Sequence, residues 1–166
     1  IGLMVGYLAY IFPESVGGGY DIIERALTMT PTATILLVLV LVRFITTILS
    51  YNTGVPGGIF APMLAIGSLL GLAASYGFQV IMNDASIHSG MFAVAGMGAL
   101  FSAVVRAPVT GIILVVEMTQ NYSLILPLMV SCLTSTTIVQ LANNPPIYTQ
   151  LLHRTLRKQR AIEALK

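Results

Sequence analysis

Charge is what this sequence has least of. Only 8% of its 166 residues are Asp, Glu, Lys or Arg, while 56% are hydrophobic. A soluble domain carries about 25% charged residues. So few charges cannot cover a water-soluble globule, and the bilayer is left as the natural solvent. Cysteine is nearly absent as well. Cys132 stands alone in an apolar stretch, which excludes an intrachain disulfide and a cysteine-based metal site. His88 and His153 have no companions at metal-ligand spacing and read as boundary residues. Neither H-E-x-x-H nor G-x-S-x-G occurs, so the familiar grounds for an intramembrane enzyme are missing. Heptads, low-complexity tracts and internal repeats are missing too. The net charge of +2 gives no ground for a nucleic-acid partner.

Long apolar runs are what the sequence does have. Residues 33–51 form one, interrupted only by Arg43, with Pro31 suited to the first turn of a helix. Residues 59–82 carry no charge and are long enough to cross a bilayer, as are residues 122–142. Two further runs, 91–105 and 107–116, are shorter. At about 1.5 Å per residue they cover roughly 22 and 15 Å, short of a hydrocarbon core of ~30 Å. Between the runs lie glycine- and proline-rich breaks: Gly17-Gly18-Gly19, Gly54-Val55-Pro56-Gly57-Gly58, Arg106-Ala107-Pro108 and Asn143-Asn144-Pro145-Pro146. Residues 20–28 read as a short amphipathic helix, and 147–166 as a final helix that turns basic.

Broken backbone at membrane depth is tolerated where protein or a polar cavity satisfies it. Transporters use such breaks to aim helix ends at a substrate. The strongest local signal is Gly57-Gly58-Ile59-Phe60-Ala61-Pro62, heading a full-length span. The first N–H groups of a helix lack internal partners and carry partial positive charge. Glycines beside them let an anion approach the backbone closely. The residues alone weigh this about evenly against a plain turn with Phe60 packed in the core. Gly67-x-x-x-Gly71 with Ser75 is a small-residue stripe that predicts close helix packing. Asn121-Tyr122-Ser123 matches a glycosylation sequon, a weak three-residue pattern.

Gly58-Ile59-Phe60-Ala61-Pro62 resembles the G-x-F-x-P motif of CLC chloride transporters. The likeness continues through Gly54-Val55-Pro56-Gly57, Met63 to Gly67, Phe92 to Ala99, Arg106-Ala107-Pro108-Val109-Thr110-Gly111 and Glu117-Met118-Thr119. It runs over essentially the whole chain and is strongest toward prokaryotic members. It implies an all-α, polytopic membrane protein, residues 1–166 being the C-terminal part of a CLC-type transmembrane domain and the second half of an inverted-repeat fold with broken, re-entrant helices. Because the chain opens in mid-run at Ile1, the expectation is a fragment whose N-terminal half is elsewhere.

The resemblance implies chloride transport, by proton antiport or through a passive channel, with no cofactor beyond the transported ion. It places backbone donors at Ile59 and Phe60, a hydroxyl donor at Tyr148, and supporting loop glycines at Gly57 and Gly58. Without it, Tyr148 would read as an interfacial anchor. The family's serine donor, gating glutamate and internal proton-transfer acid belong to the other half. Residues 107–118 and 124–141 match helices that form a homodimer interface in the family. A non-conducting structural subunit is the alternative from another class.

Arg43 and Glu117 are the only charges deep within apolar runs, and such charges are usually paired. The expectation is that each supports the structure, paired with the other or with the missing half. Arg106 reads as a solvated or lipid-facing boundary residue. Five of the eight basic residues (Arg154, Arg157, Lys158, Arg160 and Lys166) fall at the end of the chain. That places the C-terminus in the cytoplasm of a multi-pass protein, a bacterial inner membrane being the natural setting. The basic run itself is read as a contact for anionic lipid headgroups.

Overall fold

The computed structural model describes residues 2–11, 33–52, 58–83 and 88–163. The amphipathic helix expected over 20–28, the triple-glycine break before it, Pro31 and Gly57 lie outside these residues. Among the described residues the chain is helical, without a strand. The helices are α1 (Gly2–Ile11), α2 (Ala33–Asn52), α3 (Phe60–Met82), α4 (Ser89–Val105), α5 (Pro108–Thr119), α6 (Ile125–Leu141) and α7 (Ile147–Glu163). A 3-10 turn, Tyr122–Leu124, precedes α6. Among the described residues three stretches are long and apolar enough to cross a membrane: Thr34–Tyr51, Phe60–Met82 and Tyr122–Leu141. Between the last two sit the short helices α4 and α5, as their run lengths require.

The breaks have local causes. Arg106 closes α4 in the left-handed region, at φ 63° and ψ 34°, and its N–H caps Ser102 O at 3.0 Å. The next residue precedes a proline, which disfavours helical backbone, and Ala107 is accordingly at φ −127° and ψ 74°. Pro108 then opens α5, where its missing N–H costs nothing. Gln120 ends α5 at φ 50° in the same left-handed manner. The Asn121 side chain accepts from Ser123 N at 3.2 Å and Ser123 Oγ at 2.5 Å, so it caps the 3-10 turn.

Packing centres on α4. It runs antiparallel to α3, with Gly67 against Gly96, Gly71 against Phe92 and Gln79 bonded to Ser89 at 3.2 Å. A Cβ on Gly67 would meet Gly96 O at 2.7 Å, and one on Gly71 would fall on Phe92 O. Backbones this close exclude any side chain, so the small-residue stripe is the α3–α4 seam. Against its other side α4 runs parallel to α6, which bonds it through Ser135 Oγ to Ala99 O at 2.8 Å and Thr136 Oγ1 to Ser102 O at 3.3 Å. One core cluster joins Leu64, Val94, Met97, Phe101, Val115, Val116, Leu128 and Cys132. A second, holding Leu36, Leu39, Leu69, Leu72 and Ala93, seats α2 on α3.

Much apolar surface stays outside these cores, including Leu37, Leu41 and Phe44 on α2 and Leu126, Val130 and Ile138 on α6. Such faces suit lipid or further apolar protein, not water. Hydroxyls within the spans bond back to their own helix: Ser68 to Ala65 O at 2.9 Å, Thr46 and Thr47 to Arg43 O at 3.0 and 2.7 Å. That keeps polar groups satisfied where no water reaches.

Candidate anion site

The C-terminal end of α4 is a meeting point. Phe101, fully buried in its last turns, stacks on Phe60 with ring centroids 5.6 Å apart and planes at 27°. This contact fixes the start of α3. Five residues on, about 7.5 Å along the axis, Arg106 donates from Nη2 to Val139 O at 2.9 Å and also to Asn144 O. That contact fixes the end of α6 and the lead into α7. The helix starts of α3, α5 and α7 thus gather at one end of the bundle, and each brings the partial positive charge of its free N–H groups.

Ile59 is the N-cap of α3, at φ −85° and ψ −28°, and is half-buried. Its carbonyl accepts from Met63 N at 3.3 Å, closing the first turn. Pro62, the third helical residue, has no N–H. The unclaimed donors at this helix start are therefore those of Ile59, Phe60 and Ala61, and among the described residues none of them has an acceptor. Phe60 is 43% exposed despite its stack on Phe101. It is therefore not the sealed core residue that the plain-turn reading would make it. Gly58 is exposed, and a Cβ there would meet nothing within 4 Å.

Tyr148 is the second residue of α7 and 47% exposed. Its helix opens on Pro146, whose carbonyl accepts from Gln150 N at 3.2 Å, while Gln150 Nε2 reaches back to Pro145 O at 2.9 Å. Among the described residues no hydrogen bond or ring contact joins Tyr148 to Ile59 or Phe60. What links the two helix starts is the end of α4, through Phe101 on one side and Arg106 on the other.

One expectation about charge is corrected, and one of two alternatives for another is removed. Arg106 is half-buried and bonded to backbone across 33 and 38 residues of sequence, so it is a structural clamp and not a solvated or lipid-facing boundary residue. Its sequence signal was its place between two short helices, where free carbonyls of helix ends collect. Arg43 is buried on α2, which packs on α3, whereas Glu117 is exposed on α5, which packs on α4 and α6. No ion pair joins them among the described residues.

The fold is a helical membrane fold with broken spans. Residues 1–140 match the family described as voltage gated chloride channel, and the chain belongs to that family. It is 48% identical over 160 residues to the H(+)/Cl(-) exchange transporter ClcA of Vibrio parahaemolyticus, covering 96% of this chain and 34% of the relative. It is 47% identical over 166 residues to ClcA of Salmonella arizonae, covering 100% of this chain and 35% of that protein. A solved structure of a slow cyanobacterial Cl-/H+ antiporter superposes with a TM-score of 0.78 at 41% identity, over 87% of this chain and 34% of that one. The chain thus spans about a third of the length of these relatives.

Proposed function

We propose that this chain is the C-terminal part of a chloride/proton antiporter and supplies part of its central anion site. Ile59 and Phe60 give backbone N–H donors at the start of α3, and Tyr148 gives a neutral phenol donor at the start of α7. Gly58 gives room for the ion beside the backbone, and Gly57 is the other supporting glycine of the loop. Neutral donors suit transport, because a full positive charge would hold chloride too tightly to release it. The observation that carries this reading is the fastening of both helix starts to one end of α4, by Phe101 and Arg106. The relatives named as exchangers favour antiport over passive conduction.

In this reading the remaining site groups come from the N-terminal half of the same transporter. The protein is a homodimer in a bacterial inner membrane, α7 leads to the cytoplasmic side, and no cofactor takes part. A passive channel is the second reading, favoured by the family's description as a voltage gated channel. Chloride efflux from liposomes holding the full-length transporter, with external pH recorded, separates the two. Chloride leaving against proton entry supports the antiporter. Chloride leaving without proton movement establishes the channel, and no flux from folded protein overturns both.

A further inference from the structure

We propose that Arg106 is a positioning residue for the anion site: its guanidinium holds the α6–α7 junction so that Tyr148 is presented at a fixed depth. The inference rests on Tyr148 being the hydroxyl donor, and it assigns the task of placing that hydroxyl to a residue on another helix.

Arg106 sits at φ 63°, a region that glycine enters freely and other residues seldom occupy. A helix stop alone would be better served by glycine. Asn83 and Gln120 end their helices in the same conformation, so what distinguishes Arg106 is its side chain. That side chain reaches two carbonyls, Val139 O at 2.9 Å and Asn144 O.

Val139 lies in the last turn of α6, where carbonyls run out of helical partners and carry partial negative charge. The remaining internal bond to Val139 O is a long one, from Asn144 N at 3.5 Å. The guanidinium therefore caps α6 from outside, with the charge-assisted strength of a cation on a carbonyl. The second bond matters more for the site. Asn144 leads directly into Pro145-Pro146, whose rings leave few backbone freedoms. Holding Asn144 O consequently holds the start of α7, and Tyr148 follows four residues later on a first turn braced by Gln150. Among the described residues Arg106 Nε is buried without an acceptor, so the side chain makes its bonds only through Nη2.

The test uses the full-length transporter with Arg106→Gly, Arg106→Lys, Tyr148→Ala and the Arg106→Gly/Tyr148→Ala double variant. Chloride affinity is read by calorimetry, proton coupling by reversal potential in liposomes, and folding by thermal unfolding. Glycine suits the left-handed backbone, so Arg106→Gly separates the turn from the clamp. The expected result is that Arg106→Gly stays folded, binds chloride about tenfold more weakly and loses proton coupling in the manner of Tyr148→Ala. The double variant is expected to be no worse than Tyr148→Ala, and Arg106→Lys, which keeps a charged donor, to recover part of the loss. Wild-type affinity and coupling in Arg106→Gly, while Tyr148→Ala is impaired, would overturn the clamp. An unimpaired Tyr148→Ala would overturn the site reading beneath it. If Arg106→Gly does not fold, Arg106→Lys decides: wild-type behaviour overturns the clamp, and a partial, non-additive loss with Tyr148→Ala supports it.

Discussion

Phe60 opens α3 against the ring of Phe101, 5.6 Å away at 27°, so the helix that offers free N–H groups is seated on the end of α4. Phe101 is fully buried and belongs to the main core cluster with Leu64, Met97 and Leu128. Its replacement removes both a core filler and the seat of the candidate site. Phe101→Ala is expected to destabilise the fold by about 3 kcal/mol, at the lower end of the soluble-protein range because lipid is already apolar. Chemical denaturation in detergent measures this. Chloride affinity should fall as well, since the start of α3 loses its support.

The α3–α4 seam makes a sharper prediction, because two glycines of one helix have opposite surroundings. A Cβ on Gly71 would fall on the Phe92 carbonyl, which is backbone and has nowhere to go. Gly71→Ala should cost about 1–3 kcal/mol as the helices are forced apart. Gly77 has nothing within 4 Å of the same added atom. Gly77→Ala should be neutral or stabilise by up to about 1 kcal/mol, from helix propensity alone. Parallel thermal unfolding of the two variants is the measurement, and the difference in sign is the result expected.

Gly58 separates space for the ion from space for the fold. Among the described residues an added methyl there meets no atom within 4 Å, so Gly58→Ala should unfold like the wild type. The same methyl would stand beside the free N–H groups of Ile59 and Phe60 and crowd a chloride approaching them. Weaker chloride binding, with the midpoint of thermal unfolding unchanged, is the expected outcome by calorimetry.

The 3-10 turn before α6 depends on one side chain. Asn121 Oδ1 accepts from both Ser123 N and Ser123 Oγ. Asn121→Ala should cost about 1 kcal/mol, the usual loss for a helix cap, and leave chloride binding untouched because the turn lies at the far end of α5 from Pro108. Asn121→Asp, which keeps the acceptor, should recover stability in the same unfolding assay.

Much of the fold was legible because membrane spans announce themselves by run length. The three long stretches and the two short helices stand where the apolar runs placed them. The ends moved for physical reasons. The run that seemed to stop at Val116 continues to Thr119, because Glu117 is a good helix former on an exposed face and Thr119 Oγ1 bonds Val115 O at 2.9 Å. The candidate site was legible in part. Ile59, Phe60 and Gly58 stood out through the glycine-led helix start, whereas Tyr148 needed the family likeness. Arg106 was misread because its partners are backbone carbonyls at residues 139 and 144, and a carbonyl leaves no mark in a sequence. Of the two partners expected for Arg43 and Glu117, each other or the missing half, packing removes the first for a related reason. Two lone charges suggest each other, but only packing decides which helices meet.

The central claim is that an anion is held between the start of α3 and the start of α7. Bromide replaces chloride and scatters anomalously, so crystals of the full-length transporter grown in bromide locate the ion directly. The account predicts an anomalous peak within hydrogen-bonding reach of the Ile59 and Phe60 nitrogens and the Tyr148 hydroxyl, weakened in Tyr148→Ala. A well-ordered crystal with no peak there, or with bromide held only elsewhere, would contradict it.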